Sequence, residues 1–208
     1  DKGANDPGGE NLKPENDAKS GSPEAQYRYG MTLFQGRTVF RDRRAGIQWL
    51  TLSGEAGYVP ALSMLGRIYA YGSGTQPDSV KSRQFLTAAA VKNDAAAQLM
   101  LGQDFLFGNA STEAKSQGVA WIRKAALQAN ADGQFMMGVI YLNGLGIERD
   151  IDEAVVWFRR AAAQGSKDAK YSLGQIYHTG VAGVGVDQAE AVKWYLEAAK
   201  LGQHEAEY

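Results

Sequence analysis

One glycine returns every 36 residues through most of this chain, and that interval constrains the fold more than any other feature: Gly30, Gly66, Gly102, Gly138 and Gly174. A second glycine follows each by six residues, at Gly36, Gly72, Gly108, Gly144 and Gly180. Nineteen residues past the anchor stands a large aromatic, at Trp49, Phe85, Trp121 and Trp157. In the fifth period it is Trp194, displaced by one because GVAGVGV (180–186) carries an extra residue. Small pairs follow each aromatic: Ser53-Gly54, Ala89-Ala90, Ala125-Ala126, Ala161-Ala162 and Ala198-Ala199. Four features in register over five periods mark an internal repeat, whose units bury their apolar faces only by stacking on one another.

Within a unit the apolar spacing is helical. In the fourth, Gly133, Met137 and Tyr141 lie four apart, and Gly144 closes that helix. Ala154, Trp157, Phe158 and Ala161 then make an i, i+3, i+4, i+7 stripe on a second helix. The closing glycine suits a left-handed cap, having no Cβ to clash. Asp42, Asp78, Asp150 and Asp187 recur ahead of the second helix, where a carboxylate caps free N–H groups and meets the positive end of the dipole. The third unit has Ala114 there, which predicts a weaker start. The small pairs and the anchor glycine let helices approach closely, so each unit reads as a helical hairpin. The aromatics from Trp49 to Trp194 read as core, one ring per unit.

Residues 1–22 differ. They hold four glycines, two prolines, eight charges and no aromatic residue, too little apolar surface to offset the entropy of ordering, so they read as a flexible tether. Net charge is −1 and the pI about 6.2, which argues against a nucleic-acid or membrane-surface protein. No apolar run reaches the roughly 18 residues needed to span a bilayer. With no cysteine, disulfides and thiolate metal sites are excluded.

Little in the chain points to chemistry. The two histidines, His178 and His204, lie in different units, and neither has partners at metal-ligand spacing. His178 reads as a surface residue at a helix end. GVAGVGV lacks the preceding strand and the Lys-Ser/Thr of a phosphate-binding loop, and its sister units identify it as a hairpin turn. Asn109-Ala110-Ser111 matches a glycosylation acceptor, a pattern common by chance. The basic run Arg37, Arg41, Arg43 and Arg44 reads as a solvated turn. No catalytic residue, metal site or cofactor is expected.

The pattern A-x-x-x-L-G-x-x-Y-x-x-G-x-G, then D-x-x-x-A-x-x-W-x-x-x-A-A-x-x-G, resembles the Sel1-like repeat, a relative of the tetratricopeptide repeat. The fourth and fifth copies match best, MGVIYLNGLGIERDIDEAVVWFRRAAAQG (137–165) and LGQIYHTG…AVKWYLEAAKLG (173–202). The first copy departs, with Thr38 for the second loop glycine and Ser53-Gly54 for the alanine pair. The resemblance implies an all-α fold, a right-handed α-α superhelix of about five hairpins over 23–58, 59–94, 95–130, 131–166 and 167–203. Residues 204–208, HEAEY, resemble the opening of a sixth copy.

It further implies a non-enzymatic scaffold or adaptor that binds another protein on a concave face lined by first helices. On those helices the core stripe takes positions −5, −1 and +3 from the anchor glycine, and the adjacent stripe takes −2, +1 and +5. The latter reads Arg28, Met31, Gln35; Met64, Arg67, Tyr71; Met100, Gln103, Phe107; Met136, Val139, Asn143; Ser172, Gln175, Thr179. Met64, Arg67, Tyr71, Met100, Gln103, Phe107 and Met136 are the candidate partner-binding residues, methionine and aromatic groups being adaptable contacts. The same residues also suit a seal between successive first helices, and both readings stay open. The alternatives are a bacterial immunity protein blocking a toxin or effector enzyme, and a regulatory subunit of an enzyme complex. Many bacterial relatives are periplasmic or secretory, so export, with a possible lipid anchor upstream, is the expectation; a cytoplasmic location is the alternative.

Overall fold

The computed structural model describes residues 14–36, 40–108, 111–181 and 183–202. Among these there is no strand. A short helix, α1, covers residues 14–19. Five helix pairs follow: α2 (Pro23–Gln35) with α3 (Arg43–Glu55), α4 (Val59–Tyr71) with α5 (Ser79–Val91), α6 (Ala95–Phe107) with α7 (Thr112–Leu127), α8 (Ala131–Asn143) with α9 (Ile151–Ala163), and α10 (Lys167–Thr179) with α11 (Gln188–Ala199). The chain is therefore the all-α array of hairpins that its period predicts. It divides into two compact units, residues 1–97 and 98–208, with the division inside α6.

The anchor glycine sets how closely a hairpin closes. A Cβ on Gly66 would lie 2.6 Å from Leu86, on Gly102 2.5 Å from Ile122, on Gly138 2.5 Å from Phe158 and on Gly174 2.6 Å from Tyr195. Four residues before each of these partners a second small residue meets the first helix. Cβ atoms on Gly46 and Gly118 would stand 2.8 and 2.7 Å from the carbonyl oxygens of Gly30 and Gly102. In α5 the small residue is Ser82, whose buried hydroxyl donates to the Gly66 carbonyl at 2.9 Å. Ala154 and Ala191 hold the same place in α9 and α11, both buried.

This geometry corrects one expectation. The buried position on the second helix is the one after the recurrent aromatic: Leu50, Leu86, Ile122 and Phe158 are at most 2% exposed. Trp49, Phe85, Trp121 and Trp194 are only half-buried, and of the series Trp157 alone is buried. One residue along a helix turns a side chain by about 100°, which takes these rings off the line joining the two helices. Lys124 lies 4.1 Å from the Trp121 ring centre and Arg160 lies 4.5 Å from that of Trp157, so cations cover ring faces.

Polar groups close the hairpins. Asp42, Asp78, Asp150 and Asp187 accept the backbone N–H three residues on, at 2.9–3.0 Å. Their own N–H groups donate to the carbonyls of Leu33, Tyr69, Tyr141 and Tyr177 on the paired first helix. Gly36, Gly72, Gly144 and Gly180 take the left-handed cap, with φ of 64–68°. The third hairpin departs from both expectations. Gly108 is not left-handed, and its N–H continues the helix to the Asp104 carbonyl at 3.1 Å. Ser111 caps α7 by accepting from the Ala114 N–H, so that helix begins about a turn earlier in register rather than starting weakly.

The tether expected over 1–22 falls partly on residues 1–13, which lie outside those described, as do the sixth-copy residues 204–208. Residues 14–19, however, are helical, and Ala18 is fully buried. Lys19 pairs with Glu15 at 2.6 Å and, with a smaller contribution from Tyr29 of α2, holds the Glu15 carboxyl below its ordinary value. The segment Ala18–Ser22 repeats the ends of the later second helices. Gly21 and Gly165, four periods apart, have φ of 89° and 86°, and Ser22 and Ser166 both cap the next helix. Composition hid this half-repeat because only its last turn retains the pattern.

Three stability outcomes follow from these contacts. Gly138→Ala forces a methyl group against the buried Phe158 ring and should cost about 1–3 kcal/mol in urea unfolding. Trp157→Ala should cost about 3–5 kcal/mol through the cavity it leaves; a loss below about 1 kcal/mol would contradict the burial of that ring. Ala129 ends the α7 turn at φ 59°, where its sister residues are Gly57, Asn93, Gly165 and Gly202. Ala129→Gly should therefore raise stability by about 1 kcal/mol, read as a higher urea midpoint with unchanged slope.

Candidate partner-binding surface

The stripe adjacent to the core on the first helices is built from residues three and four apart, which share one helical face. On α4, Met64 is half-buried, Arg67 is exposed and Tyr71 is 71% exposed. Met64 packs against the buried cluster of Leu50, Leu65 and Ile68, so this methionine seals the interior. Burial pushes the hydroxyl of nearby Tyr27 above its ordinary range, while the Arg67 charge opposes that rise. Tyr71 precedes the left-handed Gly72, where the helix stops and no further turn covers the ring.

In the second unit, α6 carries Met100 and Gln103, both half-buried, and Phe107, 61% exposed. Met136 on α8 is half-buried, Val139 packs on the cluster around Phe158, and exposed Asn143 turns its amide back to the Val139 carbonyl at 2.9 Å. On α4, α6 and α8 the stripe thus grades from a part-buried methionine to an open tip. At position +5 the tips are Gln35, Tyr71, Phe107, Asn143 and Thr179, aromatic in the middle repeats and polar at both ends. Tyr71 and Phe107 lie in different compact units, and each is an open aromatic within its own.

Sequence reasoning missed a set of polar clamps between helices. Gln128 donates to the buried Gln98 at 2.7 Å, and Gln164 donates to the buried Gln134 at 2.6 Å. Gln134 donates in turn to the Ala126 carbonyl. In the fifth hairpin an ion pair stands at this place, Lys170 to Glu197 at 2.8 Å, and Lys170 holds the Glu197 carboxyl below its ordinary value. Arg123 and Arg159 each donate to the hydroxyl of a tyrosine on the next first helix, Tyr141 and Tyr177, at 2.7 Å. The signal was present as the spacing of Gln98 from Gln134 and of Arg123 from Arg159, one period each. Apolar spacing alone does not show it.

The remaining candidates are surface features. His178 is exposed, its Nδ1 lies 3.1 Å from the Gln188 amide oxygen, and its ring lies beside Tyr195. Arg41 and Arg44 are exposed and the Arg43 guanidinium lies over the Phe34 ring, while Arg37 and Thr38 fall outside the described residues. So do His204, and Asn109 and Ala110 of the acceptor pattern. Among the described residues no group of three or more His, Asp or Glu side chains could hold a metal ion, and no helix is long and apolar enough to cross a membrane.

Paired helices that repeat every 36 residues, closed by glycine and joined through small residues, define an α-solenoid of helical hairpins. The Sel1 repeat family model matches residues 23–58, 59–94, 95–130, 131–166 and 167–203, and the chain belongs to that family. No curated protein sequence matches it. Among solved structures it is similar to c5321, a protective antigen present in uropathogenic Escherichia coli strains that displays an SLR fold. Sequence identity is 33% and the TM-score 0.88, over 93% of this chain and 41% of that one. The chain thus spans about two-fifths of that relative. It is also similar to a Sel1 repeat protein from Oxalobacter formigenes, at 30% identity and a TM-score of 0.80 over 90% of this chain and 77% of that one. The immunity protein Pa5087 from Pseudomonas aeruginosa shares 18% identity with a TM-score of 0.55, over 88% of this chain and 67% of that one, a likeness of fold alone.

Proposed function

We propose that the chain is a non-enzymatic protein-interaction scaffold that takes a partner protein on the exposed stripe of its first helices. One observation carries this reading: the two open aromatics on that stripe, Tyr71 and Phe107, hold the same position in consecutive repeats, with polar residues there in the outer repeats. A large aromatic left in water gains nothing for the fold, whereas aromatic anchors dominate many protein interfaces. The half-buried methionines on the same stripe are adaptable neighbours for such a contact. Membership of a repeat family whose resemblance implies scaffolding supports the same reading.

The test is quantitative capture of partners from an extract of the source cells. Tyr71→Ser and Phe107→Ser should each lower recovery of the bound protein, and the double change should weaken binding by about 2 kcal/mol or more in titration. Helical content should stay unchanged, since both rings are exposed. Lys193→Ser on α11 is the control and should leave binding within experimental scatter. Normal binding by the double variant with loss in the control would move the interface to the second helices and sink this assignment.

A further inference from the structure

A cleft of about 400 Å³ lies in the second unit between Arg123 of α7, Tyr141 of α8 and residues Ile147, Glu148, Arg149 and Asp150 of the turn into α9. Among the described residues each guanidinium in it makes one hydrogen bond. Arg123 donates from Nη2 to the Tyr141 hydroxyl at 2.7 Å and lies over that ring, 5.8 Å from its centre. Arg149 donates from Nε to the Leu142 carbonyl at 2.9 Å. Among the described residues neither arginine forms an ion pair. Two carboxylates face the same space. Asp150 is committed to the Glu153 N–H at the start of α9, and Glu148 is exposed. Both arginines are exposed, and among the described residues their remaining guanidinium N–H groups and the Tyr141 hydroxyl proton have no acceptor.

We infer that this cleft binds a carboxylate, of the kind an aspartate or glutamate side chain of an extended peptide presents. Two forked guanidinium groups suit a planar carboxylate with paired acceptor oxygens. Glu148 and Asp150 also line the cleft and repel any anion, a dianion such as phosphate more strongly than a singly charged carboxylate, so the proposal is for the monoanion. The next junction supplies an internal comparison. There Arg159 donates to Tyr177 in the same way, but Val186 stands where Arg149 stands in register. The arginine–tyrosine pair is therefore shared by these two junctions, and the second arginine makes one of them a binding site. Arg123 and Arg149 lie outside the first-helix stripe, so the inference does not rest on the scaffold reading above.

The experiment follows the arginine Nε–H resonances of the full chain by NMR at constant ionic strength. The probes are acetyl-Ala-Glu-Ala-amide, acetyl-Ala-Gln-Ala-amide and sodium acetate. The glutamate peptide should shift Arg123 and Arg149 saturably, at least about tenfold more tightly than it shifts Arg159, the factor that one charge-assisted hydrogen bond supplies. The glutamine peptide should leave them in place. Arg149→Val, which reproduces the sister junction, should abolish saturation at Arg123 while the Arg159 signal and the helical content stay as they were. Acetate binding as tightly as the glutamate peptide would support the site and assign it to a small acid; weaker acetate binding assigns it to a peptide. Absence of a saturable shift with either carboxylate, equal shifts at Arg159, equal effects of the two peptides, or an unaltered Arg149→Val variant would each overturn the proposal.

Discussion

The close approach of two helices at the anchor glycine is the constraint on which each hairpin depends. A Cβ at Gly102 or Gly138 would enter the van der Waals envelope of Ile122 or Phe158, and those partners are themselves fully buried. Interiors packed at crystal-like density offer no room to relax such a clash. The opposing small residue, Gly46, Ser82 or Gly118, meets the backbone of the first helix. Only with both positions small do the larger side chains next to them interlock. The alanine pairs play the corresponding part at the far end of the second helix, where all but Ala199 are buried and their carbonyls accept the turn that follows.

Around that packing the units satisfy their polar groups by different means. Four hairpins close through one aspartate that caps with its carboxylate and ties to the first helix with its own N–H. The third substitutes an earlier serine cap and a longer helix. A clamp between the first helix and the end of the second is a glutamine pair in two hairpins and a lysine–glutamate pair in the fifth. The acceptor and donor requirement is constant while the chemistry that meets it varies, which is why a motif written in residue types blurs at these places.

The surface follows from the same geometry. On α4 the stripe beside the core starts with Met64, which seals the interior, and on α4, α6 and α8 it ends where the helix ends, so Tyr71, Phe107 and Asn143 stand clear. Tyr71 and Phe107 are exposed because Gly72 and Gly108 follow them at the helix termini, and no stability argument requires an aromatic there. Seal and binding surface, two readings of one stripe, belong to different residues of it: Met64 seals, and the proposed contact lies with the rings.

By itself the sequence determined the period, the helical hairpin, the capping aspartates and most of the left-handed glycines, since each of these is a local rule of backbone geometry read within one 36-residue unit. Tertiary structure decided which face of each helix is buried most deeply. The recurrent tryptophans looked like the core, yet the buried position is the neighbouring Leu50, Leu86, Ile122 or Phe158, because the helix pair meets along a line that spacing alone does not fix. It also decided that Ala18 is interior, that Ser111 replaces a missing cap, and that Arg123, Tyr141 and Arg149 share one cleft. These are contacts between residues distant in sequence or shifted in register. Their physical cause is packing, which depends on where two surfaces meet and not on the pattern of either one.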